Sequence, residues 1–231
     1  MESRDANSSS KRKYREGYEN FFAPYGRFLA RMGITPNVIS LLAIVLAGCA
    51  GLAFALKSFY LGVFLLIASS LADMLDGSTA RALGTDSPFG MVLDHTLDRY
   101  AEYFYFAGIM LAGVVDPSIV VFTIVGMLMA SYIRAKAESV SKVSISVAGI
   151  IERKEKITMV GFGAFFQGVY MDEILGFNAL WDAIIPSWLQ IGPLAVALLV
   201  VGILSHITAL QRLFYAKKVM PGTNRIKKSD E

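Results

Sequence analysis

The sequence predicts an all-α integral membrane protein: six transmembrane helices preceded by an N-terminal interfacial amphipathic helix. Three observations carry that expectation. The 231 residues are 55% hydrophobic with a mean hydropathy of +0.51, above the roughly 45–50% apolar share of soluble domains. Only 18% are charged, and the apolar residues come in long blocks, enough for six spans of roughly 20 residues each. The basic residues gather at one set of block ends. A disulfide scaffold is excluded, because Cys49 is the single cysteine; inside an apolar run it reads as a small buried hydrophobe. The net charge, 22 − 19 = +3, matters less than where the charges lie.

Each element follows in order. The first 20 residues are polar, with Lys11, Arg12, Lys13 and Arg15, and lack the apolar core of a signal peptide. In FFAPYGRFLARMG, the residues Phe21, Phe22, Tyr25, Phe28, Leu29 and Met32 fall on one helical face, away from Arg27 and Arg31. That face suits either a helix in the membrane interface or a segment packed on the protein itself, with Pro24 and Gly26 weakening the pattern. Thr35-Pro36 opens span one, about 37–56. Span two, about 59–83, turns polar late; span three, about 89–114, is polar first. Asp116-Pro117 is a turn before span four, about 118–138. A polar stretch, 139–156, precedes span five, about 157–175. Trp181 and Trp188 are interfacial anchors before span six, about 190–212.

Three segments result: a cytoplasmic segment over 1–34, a six-helix membrane domain over 35–216, and a basic tail over 217–231. With both termini inside, nearly every basic residue is cytoplasmic, including Arg81, Arg134 and Arg212. Lys57 alone lies outside, with acidic Asp116, Asp172, Glu173 and Asp182. This obeys the positive-inside rule and places a multi-pass protein in the cell membrane with its active site cytoplasmic.

Ionisable residues inside spans are functional candidates by default. The densest set is LADMLDGSTARALGTDSPFGMVLDHTLDRY. Asp73 and Asp76 share a helix face, as do Asp94 and Asp98 on the next helix. A short connection makes the two helices antiparallel neighbours, so four carboxylates converge. They cannot all stay ionised without cations. Hard divalent metal, Mg²⁺ or Mn²⁺, is the simplest answer, and two such ions beside Arg81 suit a pyrophosphate. Gly77 and Gly90 leave room for a ligand. Aspartates paired with Arg81 and Arg99, or holding a transported cation, are the alternative.

The pattern Asp73-x2-Asp76-Gly77-x2-Ala80-Arg81-x8-Gly90-x3-Asp94-x3-Asp98 resembles the full motif of the CDP-alcohol phosphotransferases. The resemblance implies a six-helix homodimeric membrane enzyme that moves a phosphoalcohol from a CDP-linked donor to an acceptor hydroxyl and releases CMP. It implies that Asp73, Asp76 and Asp94 hold one metal and that Asp73, Asp94 and Asp98 hold a second. Asp98 is then also the general base. Gly77, Ala80, Arg81 and Gly90, with Pro36 and Asn37 opening span one and Ser87 in the loop, fall on the CDP-donor side.

A second cluster, SYIRAKAESVSKVSISVAGIIERKEK, is similar to the phosphatidylinositol-phosphate and archaetidylinositol-phosphate synthase branch. The resemblance implies that Arg134, Lys136 and Arg153 bind the acceptor phosphate, with Ser69 as a hydroxyl contact. Lys142, Lys154 and Lys156 read as anchors on lipid phosphates; His95 and His206 read as structural. Inositol phosphate is the expected acceptor and a CDP-linked lipid the donor. Membrane lipids are further partners, and nucleic acid is not. Glycerol phosphate satisfies the same charge argument, as in a phosphatidylglycerol-phosphate synthase. A cation transporter built on the aspartates and an idle lipid-binding protein are the readings from other classes.

Overall fold

The computed structural model describes residues 21–85, 87–141, 149–185 and 191–220. Lys11 to Arg15, Lys142, Trp188 and the tail beyond residue 220 lie outside them. Residues 21–31 are helical and are called α1. They are followed by α2 (Pro36–Ala55), α3 (Phe59–Leu83), α4 (Pro88–Ala112) and α5 (Pro117–Ser141). Then come α6 (Arg153–Met171), α7 (Phe177–Ile184) and α8 (Pro193–Val219). There is no strand among the described residues. Proline opens α2, α4, α5 and α8, where its missing N–H has no intrahelical partner to lose. Left-handed Gly84 and Gly113 close α3 and α4.

Four helices are long and apolar enough to cross a membrane: α2, α3, Pro117–Val140 within α5, and α8. The helix α4 carries Asp94, Asp98, Arg99 and Glu102, and α6 opens on Arg153, Lys154, Glu155 and Lys156. Those charges, not length, separate α4 and α6 from the other four.

The chain divides into two compact units, Met1–Val114 and Val115–Glu231. In the first, α2 packs against both α3 and α4. The short connection between α3 and α4 suggested neighbours, and they meet side chain to side chain at Tyr105 and Ser69, with α2 packed against both. Its packed face is small, with Ala43, Ala47, Ala50 and Gly51 all buried, so two helices approach it closely. A Cβ on Gly108 of α4 would strike the backbone of Gly51, and one on Gly51 would strike that of Phe104. Polar links cross the same junction. Tyr105 Oη donates to Ser69 Oγ at 2.9 Å, and Ser69 Oγ donates to the Ala43 carbonyl at 2.8 Å.

The apolar residues of α1 form two faces rather than one. Phe22 and Gly26 are buried, and Leu29 packs on the cluster of Ile39, Ala43 and Ala72. Ser78 Oγ donates to the Phe22 carbonyl at 2.9 Å, and a Cβ on Gly26 would lie 2.5 Å from Ser78 Oγ. Gly26, which weakened the sequence pattern, is what allows this close packing on α3. Phe21, Tyr25, Phe28 and Met32 make the second stripe and stay 53–62% exposed.

In the second unit α8 packs against α5 and α6. Thr123 Oγ1 donates to the Leu198 carbonyl at 2.9 Å, tying α5 to α8. Buried Gln167 of α6 accepts from the Leu194 amide at 3.3 Å and so caps the start of α8. The helix α6 begins four residues before the expected span. A capping box explains this: Glu155 accepts from the Glu152 amide at 2.8 Å, and Glu152 caps in return. The helix α6 ends at Met171, short of the expected 175, and the end of that span and the loop expected after it form a 3₁₀ turn (Ile174–Gly176) and α7. Trp181 Nε1 of α7 donates to the Ile191 carbonyl at 2.9 Å. Cys49, expected to be buried, is exposed on α2, because the small residues Ala47, Ala50 and Gly51 take the packed face.

Candidate active site

The site begins with helical periodicity. Asp73 and Asp76 lie three residues apart on α3 and share a face. Asp94 comes from α4, whose start is fixed by Ser87 as N-cap, accepting from the Gly90 amide at 3.0 Å, with Pro88 following. The outcome is a cluster of Asp73, Asp76 and Asp94, each offering a carboxylate oxygen, with the three oxygens within 4.8 Å of one another. Asp76 is buried and the other two are half-buried. Asp98, one turn further along α4, is buried at 8% exposure and falls outside that mutual cluster. The structure thus brings together the first expected ligand set and leaves the second incomplete.

The donor set fits a hard divalent cation. It is all oxygen, comes from two helices, and carries formal negative charge that burial makes costly without a counter-ion. Asp73, Asp76 and Asp94 are the residues that would hold the ion.

Around them stand the residues expected on the donor side. The Arg81 guanidinium folds back over Gly77, so that a Cβ there would lie 3.5 Å from Nη1. A Cβ at 77 would make ordinary contact with that group, and a branched side chain there would crowd it. Ala80 is half-buried on the same helix, and Asn37 is exposed in the first turn of α2. Pro36 is the first residue of α2. Ser87 spends its oxygen on the helix cap, and Gly90 sits against it, 3.1 Å from a would-be Cβ.

Sequence reasoning missed Ser40. Its hydroxyl donates to Asp76 Oδ2 at 2.5 Å, joining the start of α2 to the cluster. The available signal was its position one turn after Pro36, on the same face. Ser69, expected as an acceptor contact, is only 3% exposed, and its hydroxyl is engaged by Tyr105 and Ala43.

In the second unit Arg134 and Lys136 are exposed on α5 and Arg153 is half-buried at the start of α6. Arg134 Nε lies 3.3 Å from Glu138 Oε1. Lys156, expected as an outward anchor, is instead buried at 4% exposure, since it follows Glu152 by one helical turn and lands on the packed face of α6. The second omission is Arg212. It is buried on α8, donates to the Ala130 carbonyl at 2.7 Å, and interacts electrostatically with Arg134, Glu138 and Glu152. In sequence it looked like one more cytoplasmic anchor at the end of span six. His95 is exposed, and His206 has Nε2 3.1 Å from the Phe122 carbonyl.

A family model described as CDP-alcohol phosphatidyltransferase matches residues 33–201. The chain belongs to that family. The match spans the carboxylate cluster, Arg81 and both basic helix ends. Similar relatives include the archaetidylinositol phosphate synthase of Pyrococcus horikoshii. It is 33% identical over 193 residues, covering 84% of this chain and 89% of the relative. The phosphatidylinositol phosphate synthase of Mycobacteroides abscessus is 32% identical, covering 90% and 88%. Among solved structures, the Mycobacterium tuberculosis phosphatidylinositol phosphate synthase with CDP-DAG bound superposes with a TM-score of 0.70 at 27% identity. That alignment covers 88% of this chain and 96% of the neighbour. The same enzyme in complex with manganese and citrate gives a TM-score of 0.69. As a CDP-alcohol phosphatidyltransferase, the chain is a membrane transferase of phospholipid synthesis, and its carboxylate cluster lies within the matched region.

Proposed function

We propose that this transferase moves the lipid-bearing phosphoryl group of a CDP-linked lipid to inositol phosphate, with release of CMP. The carboxylate cluster of Asp73, Asp76 and Asp94 beside Arg81 is the observation that carries the chemistry. The relatives that are phosphatidylinositol or archaetidylinositol phosphate synthases support the acceptor. An acceptor hydroxyl oxygen attacks the lipid-side phosphorus, the bond from that phosphorus to the bridging oxygen breaks, and CMP leaves with the bridging oxygen. Two Mg²⁺ or Mn²⁺ ions, when bound, neutralise the pyrophosphate oxygens. Asp98 takes the proton of the attacking hydroxyl. Arg81 binds donor phosphate, with Gly77 leaving space for it, and Pro36, Asn37 and Ala80 line the donor side. Ser87 and Gly90 shape the start of α4, and Ser40 orients Asp76.

We assign acceptor-phosphate binding to Arg134, Lys136, Arg153 and Arg212. Guanidinium groups suit this task because their forked donors match phosphate oxygens. Ser69 serves the helix junction. The chain threads the membrane six times, with α4 and α6 completing the four apolar spans and α7 at the opposite interface. Both termini and the site are cytoplasmic, as the basic residues suggest. The exposed stripe of α1, flanked by Arg27 and Arg31, lies in the interface of the cell membrane. The enzyme works as a homodimer.

The test is CMP release from one CDP-lipid, with inositol phosphate, glycerol phosphate, serine and free inositol as acceptors and Mg²⁺ or Mn²⁺ added. Inositol phosphate is expected to support turnover far above the rest. Turnover with glycerol phosphate alone would reassign the acceptor, and metal-driven cation flux without CMP would overturn the transferase chemistry.

A further inference from the structure

An apolar groove in the second unit has no part in the proposed chemistry. It encloses about 440 Å³ between α6, α7 and the start of α8, within the roughly 300–1,000 Å³ of small-molecule sites. Its floor is where α6 and α8 come close: Gly163 is buried, and a Cβ there would strike the Ala197 side chain. The opposite wall is aromatic. Phe166 of α6 stacks on Phe177 of α7 with ring centroids 5.6 Å apart, and Phe177 meets Trp181 at 5.9 Å. No lining side chain carries a charge or a hydroxyl, and the indole N–H of Trp181 is spent on the Ile191 carbonyl at 2.9 Å. Water gains no hydrogen bond from such walls.

Two observations say what fills the groove. The first is the setting of α7. The turn before it holds Glu173 and Leu175 at φ of 53° and 54°, a left-handed conformation that is costly for a residue with a Cβ. That turn leaves Leu175 fully exposed, and Leu180 and Ile184 of α7 are 59% and 67% exposed. Large aliphatic side chains gathered beside an apolar groove mark a surface meant for hydrocarbon rather than water. The second observation is charge. From residue 157 to residue 211 the sequence has no lysine or arginine, and its acids are Asp172, Glu173 and Asp182. All three are exposed. Asp182 follows the groove residue Trp181 directly, and Tyr170, one turn after Phe166, donates its hydroxyl to Asp182 Oδ1 at 3.1 Å. That carboxylate therefore stands at the polar end of the groove. A lipid bound there meets negative charge alone, which repels an anionic headgroup and attracts an ammonium.

We infer that the groove between α6, α7 and α8 binds one chain of a membrane lipid with an amine-bearing headgroup, whose ammonium lies on the Asp182 side. The same acids disfavour a CDP-linked donor at this place, because its pyrophosphate is anionic. The inference rests on the threading proposed above, which puts α7 in a membrane interface.

The experiment uses the full chain carrying Trp188→Phe, so that Trp181 is the single tryptophan. It is placed in vesicles of phosphatidylethanolamine and phosphatidylglycerol in equal parts, with bromine on the chains of one lipid or the other, because bromine quenches tryptophan on contact. Brominated phosphatidylethanolamine is expected to quench Trp181 about threefold more than brominated phosphatidylglycerol, the effect of an exposed charge pair. Val196 lines the groove, and Val196→Phe fills it; quenching by the ethanolamine lipid should then fall to the level of the other. Asp182→Asn should make the two labels equal while quenching persists. CMP release by both variants should match the parent. Equal quenching by the two labels in the parent overturns the inference, as does a Val196→Phe protein quenched like the parent. If Val196→Phe does not fold, Asp182→Asn decides: a preference that survives it overturns the inference. A change of oligomeric state in Val196→Phe, seen by light scattering, would assign the groove to a second copy and overturn it as well. Absence of quenching by either label would instead remove the placement of α7 in the interface, and the inference with it.

Discussion

The hydroxyl of Ser40 on α2 donates to Oδ2 of Asp76 on α3 at 2.5 Å, while lying 3.1 Å from the Pro36 carbonyl. One side chain thus couples the opening turn of α2 to the most buried member of the carboxylate cluster. Ser40→Ala removes a hydrogen bond to a charged group and is expected to raise the Mn²⁺ activation constant about tenfold. Because the donor and acceptor contacts are untouched, both KM values should hold at saturating metal; steady-state CMP release measures all three.

Metal removal tests the cluster directly. Chelation should abolish CMP formation, and Mg²⁺ or Mn²⁺ should restore it in the parent. Asp94→Asn removes one of three gathered carboxylates and should leave a folded protein that added metal does not rescue. Thermal unfolding in detergent, run beside the assay, separates this from loss of fold.

Gly77 lies under the Arg81 guanidinium. Gly77→Val should push that group off its position and raise the donor KM by roughly tenfold, the equivalent of about 1.4 kcal/mol, while the acceptor KM stays put. A matching rise in both constants would mean that the change disrupts α3 rather than the donor contact.

The Gly51–Gly108 crossing tests the frame that holds the site. Gly108→Val places methyl groups against the Gly51 backbone, which cannot rotate away as a side chain can. The cost should reach or exceed about 3 kcal/mol, seen as a lower unfolding midpoint in detergent. Ala47 and Ala50 on the same face of α2 are fully buried, so there is no spare volume nearby to absorb the change.

Arg212 is buried beside Arg134, where a guanidinium bond to phosphate is worth about 2 kcal/mol, or roughly thirtyfold. Arg212→Gln should therefore raise the acceptor KM by about that factor and leave the donor KM alone. Equal loss on inositol phosphate and free inositol would show that it does not read the phosphate.

Much of the site was legible because it depends on local periodicity. Asp73 and Asp76 share a face through helix geometry alone, and Thr35-Pro36 states where α2 begins. The basic residues at the ends of α5 and α6 were equally visible as charge breaking an apolar block. Long-range contacts were not. Ser40 and Asp76 are 36 residues apart, and no spacing rule joins them. Lys156 and Arg212 looked like surface anchors, since burial of a cation depends on what packs across it. In α1 the pattern joined six apolar residues into one face, yet a close approach at Gly26 divided them between protein and exterior.

By itself the sequence determined the class: an apolar helical chain with a carboxylate pair on each of two successive helices, a donor-side glycine and arginine, and cations at the ends of the apolar blocks. These follow from residue type and helical repeat, which act over a turn or two. Only the tertiary structure decided which carboxylates meet. The helices α3 and α4 both pack on the alanine and glycine face of α2 and touch each other at Tyr105 and Ser69, so Asp73, Asp76 and Asp94 gather while Asp98 stays a turn away on the buried stripe with Glu102. Helix-to-helix distance is set by the bulk of a third helix, and that quantity is written in no segment carrying the aspartates.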